Sequence, residues 1–445
     1  MKAFQRICVL VGLMAFALLI SPSVTCAQNY NYRGCAWPLE LSPEGSGNAQ
    51  GPDSSARYWI MPFDTTQYKT MTIRGTYPNI RYFSFSAYET TANGFDLVEQ
   101  HLYDAQIAPD PGTVNPFVPP QTIAANSRGN GKSGSANGTY TVVISSTGPT
   151  SGNSIKVSSG ALVWVLLRMY GANSDPSLSG QALMGGVQLP TIALTSQSGA
   201  SQQLETCSPI NKWQDISDFV RMLFPPTIDL NIDEGTPSSD QLWFAPILDP
   251  PSNLWPNPDN KYMMMWPGNK YQPGRIIVIH GKAPGFPGTF GGLPIWEPSR
   301  GFQTVDVRYW AVCEQELALP LSLVGCVTDF NTDLIDKYYT IVISDDLVRP
   351  KWLRPEVNWL PYGDEQYPKF VVIRNMLPAS DFSYAVQNAW PGCAFKFSLL
   401  DPPKRSVIDD AGPCAQDVMG DYYPVAVWCD KSTFVSGGFR ACLKK

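Results

Sequence analysis

Histidine is nearly missing from this chain: His101 and His280 are the only two in 445 residues. That excludes a multi-histidine metal centre, and a Ser-His-Asp triad would have to recruit one of the pair. Charge is scarce as well, at 16% of residues. Long apolar runs stop early, and beyond Ile20 no stretch reaches the roughly eighteen apolar residues of a membrane span. There is no Gly-x-Ser-x-Gly elbow and no Cys-x-x-Cys pair, which argues against an α/β-hydrolase nucleophile and against a zinc ribbon. Gly131-Lys132-Ser133 has the end of a phosphate loop without its first glycine, strand or helix, and reads as a plain loop.

What is present points to export. Lys2 and Arg6 precede an apolar run from Cys8 to Ile20, and Thr25-Cys26-Ala27 offers a small-residue cleavage site, so residues 1–27 read as a signal peptide. The alternative, acylation of Cys26, lacks a leucine three places upstream. Loss of Lys2 and Arg6 lowers the basic count from 32 to 30 against 38 acidic residues, a net charge of −8. Nucleic acid is thereby disfavoured as a partner. The expected location is secreted, periplasmic or cell surface, with no transmembrane segment in the mature chain. Eight cysteines remain (Cys35, Cys207, Cys313, Cys326, Cys393, Cys414, Cys429 and Cys442), an even number suited to disulfides in an oxidising compartment. Cys313–Cys326 is the best local pairing.

Forty prolines, 36 glycines and 12% aromatics suit short strands and turns. Six strand-like blocks recur in order. Arg57–Pro62 is echoed by Lys261–Trp266, Met71–Pro78 by Ile277–Pro284, and Ile80–Phe85 by Val307–Val312. Leu102–Asp104 is echoed by Val327–Asp329, Tyr140–Ser145 by Tyr339–Ser344, and Val165–Tyr170 by Val371–Met376. The fold class expected is mainly β: two tandem antiparallel β-sandwich or jelly-roll-like domains from an internal duplication, with a short helix and a Pro-rich linker between them. The divisions are an N-terminal segment 28–55, repeat 1 over 56–206 with an insert at about 108–134, helix and linker over 207–259, repeat 2 over 260–390, and a Cys-rich tail 391–445. In the linker, Trp213, Ile216, Phe219, Val220 and Leu223 fall at helical spacing before Pro225-Pro226. Arg81–Ser86 alternates bulky and small residues, the pattern of a strand with one buried face.

The order of Tyr339–Ser344, Asn358-Trp359-Leu360-Pro361 and Val371–Pro378 resembles the C-terminal domain of a family of uncharacterised, mostly exported bacterial proteins. Repeat 1 fits through Tyr82–Tyr88, Tyr140–Ser145 and Arg168–Tyr170. It departs at Glu89 and in lacking the Asn-Trp-Leu-Pro. The resemblance implies a β-sandwich and carries no settled activity.

The candidate ligand-binding residues are the repeated Arg81 and Arg308, Arg168 and Arg374, with Asp104 and Asp329 as partners. An arginine among aromatic rings is costly to bury unless paired. One reading ties strands within each copy through an Arg–Asp link; the other places guanidinium and aromatic faces in a groove that takes a carboxylate or a sugar. Trp243, Phe244, Trp255, Tyr262, Trp266 and Tyr271 either line such a groove or pin the linker. Function is expected to be that of an exported binding or surface-associated structural protein, taking carbohydrate or a small apolar or anionic molecule, with the groove between repeats, or the space beneath the insert of repeat 1, as the place to look. The alternative is a secreted hydrolase using paired carboxylates (Glu89, Asp96, Glu99 and Asp104, or Glu314, Glu316, Asp329, Asp333 and Asp336) or His280, which the repeat puts at an edge position. No cofactor is implied, although Asp329–Asp333 has the oxygen ligands for calcium. Asn137-Gly138-Thr139 is a glycosylation sequon.

Overall fold

The computed structural model describes residues 34–44, 48–91, 94–118, 138–149, 152–172, 184–208, 239–248, 255–268, 271–289, 305–318, 321–396 and 405–443, with side chains of 91–99 excepted. The apolar leader, the helix expected around 213–223, Asn137 of the sequon and most of the insert lie outside them.

The first half contains β1 (Leu39–Leu41), β2 (Ala56–Asp64), β3 (Tyr68–Thr76), β4 (Ile80–Thr91), β5 (Gly94–Tyr103), β6 (Thr139–Ser145), β7 (Ser154–Lys156), β8 (Leu162–Ala172), β9 (Thr191–Ser196) and β10 (Ser201–Leu204). The second half has β11 (Gln241–Leu242), β12 (Ala245–Leu248), β13 (Asn260–Met265), β14 (Arg275–Lys282), β15 (Val307–Glu316), β16 (Leu323–Thr328), β17 (Tyr338–Ser344), β18 (Asn358–Pro361) and β19 (Lys369–Pro378). The tail adds α1 (Val386–Cys393), β20 (Phe395–Lys396), α2 (Arg405–Met419), β21 (Val425–Asp430) and α3 (Lys431–Cys442).

These strands form four sheets, and the order β2-β8-β4-β5 in the first half is reproduced as β13-β19-β15-β16 in the second. Likewise β9-β3-β6-β7 is reproduced as β21-β14-β17-β18. Neighbours are antiparallel, save that β7 and β18 run parallel to β6 and β17, the same departure in each half, and β12 pairs parallel with β20. The fold is therefore mainly β, with two duplicated sandwiches. One expected boundary shifts. Repeat 2 does not end before the tail, because β21 pairs with β14 and occupies the place that β9 holds in repeat 1.

Each sandwich has its own core. Trp59, Met61, Phe83, Phe85, Val165, Leu167 and Met169 fill the first, and Met263, Met265, Trp310, Val312, Val371 and Ile373 the second. Because side chains alternate along a strand, the intervening residues of β2, β4, β8, β13, β15 and β19 point the other way. That face is buried too. Ser84 and Ser86 are fully enclosed, as are Tyr82, Tyr88, Tyr309 and Ala311. The bulky/small alternation of β4 thus marks a strand buried on both faces, and the one-face expectation is corrected: one face meets its own core, the other meets the second repeat. The serines have little side chain to hold the sheets apart there.

The described cysteines form four disulfides: Cys35–Cys207, Cys313–Cys326, Cys393–Cys414 and Cys429–Cys442. The second joins directly opposite residues of β15 and β16, and the last two tie α1 to α2 and β21 to α3. Among the described residues no helix is long and apolar enough to cross a membrane.

Candidate functional site

The repeated arginines meet at the contact between repeats, and they pair crosswise. Arg81 of β4 donates through Nη1 to Asp329 Oδ2 of repeat 2 at 2.5 Å, and Arg308 of β15 donates to Asp104 of repeat 1 at 3.0 Å. Each also reaches the other's main chain, Arg81 Nη1 to the Arg308 carbonyl and Arg308 Nη1 to the Arg81 carbonyl, both at 3.3 Å. The link expected within each copy is therefore an exchange between copies. Such reciprocity is what a two-fold imposes on equivalent surfaces. Burial raises the Asp104 carboxyl against the pull of Arg308, and pushes Asp329 up to about 7 against the pull of Arg81. Gly171 makes room beside the first arginine: at φ +60 it lies in the left-handed region, and a Cβ there would stand 2.8 Å from Arg81 Cβ.

The second arginine pair follows the same symmetry. Arg374 Nη2 donates to the Gly51 carbonyl at 2.8 Å, and Arg168 Nη2 to the Trp255 carbonyl at 2.7 Å. Gln315 donates to the Pro52 carbonyl as Tyr88 donates to that of Pro256. The turns leading into β2 and β13 also match. Ser55 N–H bonds Asp53 Oδ1 and Asp259 N–H bonds Asn257 Oδ1, while Ala56 and Asn260 bond the Asp53 and Asn257 carbonyls. Tyr309 donates to Asp53 Oδ1 at 2.7 Å, and its counterpart Tyr82 donates to Asp259 Oδ2 at 2.6 Å.

Between these two arginines lies a cavity of about 80 Å³. Tyr58, Leu166, Arg168 and Tyr170 line it from repeat 1, Tyr262, Met264, Val372 and Arg374 from repeat 2, and Gln50, Trp255 and Asn257 from the segments leading into each. At roughly 10–15 Å³ per water, that is room for about five to eight waters or one small organic molecule. Tyr58 faces Arg168 across the β2–β8 ladder, as Tyr262 faces Arg374 across β13–β19. Burial pushes the Tyr58 phenol up to about 12 and holds Tyr170 well above the ordinary range, so both are neutral hydroxyls; they bond each other at 2.9 Å.

Charge is where the halves differ. Arg374 Nη1 lies 3.6 Å from Asp53 Oδ2, an ion pair without a hydrogen bond. Arg168 is 1% exposed, its Nη1 has no hydrogen-bond partner, and no carboxylate of the described residues lies within 4.0 Å of it. It donates instead to the Tyr88 hydroxyl at 2.6 Å and stacks over that ring. Trp255 also holds φ at +47, a left-handed value costly for a bulky residue, where repeat 1 has Gly51 at +61.

The structure therefore brings Arg168 and Arg374 to one cavity, and ties Arg81, Arg308, Asp104 and Asp329 into a neighbouring ion-pair network. The linker aromatics divide. Phe244 and Trp266 are core residues, while Trp255 and Tyr262 line the cavity. His280 sits on β14, between β21 and β17 and not at an edge; its Nδ1 is 3.0 Å from Thr340 Oγ1 and its ring stacks on Tyr338 and Phe439. Burial lowers its pKa. Of the acids, Glu89 accepts the Ser158 N–H, and Glu314 is sealed in repeat 2 with neither oxygen hydrogen-bonded. In the calcium-like turn the Asp329 carboxylate is taken by Arg81, and Asn331 Oδ1 by Thr328. Asp53 clusters with Cys313 and Cys326, whose sulfurs are committed to their disulfide. Asp53 and Asn257 were missed from the sequence because they precede the recurring blocks. Counting back five residues from Tyr58 and from Tyr262 finds both.

No family model and no curated protein matches the chain. Among solved structures it is similar to an uncharacterized protein from Burkholderia cenocepacia, at 14% identity over 78% of this chain and 79% of that one, with a TM-score of 0.48. It is also similar to the VPA0106 protein from Vibrio parahaemolyticus, at 11% identity over 74% and 86%, with a TM-score of 0.37. Neither likeness is close enough to bear on the site.

Proposed function

We propose that this is an exported binding protein whose ligand is a small organic anion held between the two repeats. The observation that carries the reading is Arg168: a fully buried guanidinium, beside a cavity, with no carboxylate among the described residues to balance it and one nitrogen without a partner. A buried charge left this way is costly unless something supplies the counter-charge. The surrounding wall of Tyr58, Leu166, Trp255, Met264 and Val372 favours an apolar body over a bare inorganic ion. Neutral sugars are a poorer match, because they leave the guanidinium uncompensated. The Lys2–Ala27 leader and four disulfides support an oxidising compartment outside the cytoplasm. No arrangement of His280 or of two facing carboxylates among the described residues favours the hydrolase alternative.

The test is a thermal-shift series on the oxidised chain from residue 28, with acetate, lactate, isobutyrate, benzoate and uncharged glycans. A ligand at a hundred times its Kd adds about 2.7 kcal/mol to stability. A saturable shift with a carboxylate, lost in Arg168→Met while that variant still melts cooperatively, is the expected result. Shifts confined to the glycans, or equal in wild type and Arg168→Met, would overturn the reading.

A further inference from the structure

The two halves of the interface differ at one decisive atom. In the half around Arg374, Asp53 supplies a carboxylate: Oδ1 takes the Ser55 N–H and the Tyr309 hydroxyl, and Oδ2 faces Arg374 Nη1 at 3.6 Å. In the half around Arg168 the equivalent residue is Asn257. Its Oδ1 accepts the Asp259 N–H, which fixes the amide orientation and leaves Nδ2 in the role of Asp53 Oδ2. Nδ2 has no partner, and neither has Arg168 Nη1. Both residues are at least nine-tenths buried and both line the cavity. Two buried donors thus stand where the other half sets a donor beside a carboxylate. Asp259, the nearest carboxylate in sequence, is bonded to Tyr82 and to His101 Nε2 at 2.9 Å, and does not ion-pair with Arg168.

We propose that Asn257 is the specificity determinant of the site: it withholds the counter-charge that Asp53 supplies in the other half, and one monocarboxylate ligand per chain supplies it from the cavity, accepting from Arg168 Nη1 and Asn257 Nδ2. This rests on the anion-binding reading above and adds to it the ligand's head group, its stoichiometry and the residue that selects it. A single carboxylate balances a single guanidinium, whereas phosphate or sulfate brings excess charge into a buried site. Gln50 Oε1, an acceptor without a partner on the same cavity, suits a hydroxyl donor on the ligand's body. Gly51 and Trp255 agree with this asymmetry, since the strained, bulky residue walls the half that lacks the carboxylate.

The experiment is calorimetric titration of benzoate, lactate and inorganic phosphate into three oxidised proteins: wild type, Asn257→Asp and Asp53→Asn. Wild type is expected to take one equivalent of a carboxylate and no phosphate. Asn257→Asp supplies its own carboxylate and should bind at least tenfold more weakly. Asp53→Asn leaves repeat 2's arginine uncompensated on the same cavity, as Arg168 now is, and should bind its single carboxylate at least tenfold more tightly. Unchanged affinity in Asn257→Asp, unchanged affinity in Asp53→Asn, or phosphate bound in preference to carboxylate would each overturn the proposal. If Asn257→Asp fails to fold, the affinity of Asp53→Asn decides. Should wild type bind no carboxylate at all, the anion-binding reading itself falls; Arg168-dependent binding that ignores Asn257 removes this inference alone.

Discussion

Replacing Arg81 by Met should destabilise the protein by an amount that depends on pH. The guanidinium holds Asp329 Oδ2 at 2.5 Å, Thr289 Oγ1 at 2.5 Å and the Arg308 carbonyl at 3.3 Å. Methionine keeps much of the stem and deletes all three bonds. It leaves the Asp329 side chain at 0% exposure with neither oxygen satisfied by a side chain, since Oδ1 already lacks a partner. An orphaned buried charge costs about 3–5 kcal/mol, and a neutral orphaned carboxyl about 1–3 kcal/mol. Burial already lifts Asp329 to about 7 in the presence of Arg81, so without it the carboxyl is protonated at pH 5 and strained toward ionisation at pH 8. Urea unfolding at the two pH values should therefore give the larger loss at pH 8. The double substitution Arg81→Met with Asp329→Leu should return to within about 1 kcal/mol of wild type, since neither charge remains. Crosswise pairing makes a second demand: the coupling of Arg81→Met should be stronger with Asp329→Asn than with Asp104→Asn. A loss under about 1 kcal/mol at both pH values, or coupling to Asp104 in preference to Asp329, would refute the reasoning.

The pH dependence of the whole protein should follow the same sign. Burial raises the carboxyls of Asp104, Asp329 and Glu314 in the fold, so between about pH 4 and 7 the native state holds more protons than the unfolded chain and stability falls as pH rises. The thermal midpoint should be higher at pH 5 than at pH 8, and Glu314→Gln should lift the pH 8 value while leaving the pH 5 value nearly unchanged; a midpoint that rises with pH contradicts the assignment. The disulfides should rank by loop length. Cys35–Cys207 spans 172 residues and Cys429–Cys442 spans 13, which in the chain-entropy account gives about 5 against about 3 kcal/mol on replacing each pair by serine. Urea midpoints in the reverse order would count against that account.

Much of the architecture was legible because the repeat blocks are strands with matched register: Tyr58 opposite Arg168 and Tyr262 opposite Arg374 are the same ladder pair read twice. The near-continuous apolar run of β8, Leu162–Leu167, is the pattern of a strand buried on both faces, a signal that the one-face reading of the strands passed over. The exchange of aspartates was not legible. Arg81 with Asp104 and Arg81 with Asp329 have the same sequence signature, because duplication supplies an identical partner in each copy, and only the packing of one sheet on the other chooses between them. β21 was hidden for a different reason: six residues, Val425–Asp430, between two helices give too short a period to outweigh the cysteines around them. Asn257 lay in what reads as linker, where a polar residue beside proline suggests only a turn. Its meaning depends on Asp53, far away in sequence, standing in the equivalent turn.

The most direct measurement is a crystal structure of the oxidised protein grown with benzoate. A carboxylate seated between Arg168 Nη1 and Asn257 Nδ2, with its ring against Leu166, Trp255 and Met264, is the result expected from the charge asymmetry of the two repeats. Benzoate bound elsewhere, or a cavity closed over Arg168 by ordered water alone, would contradict it.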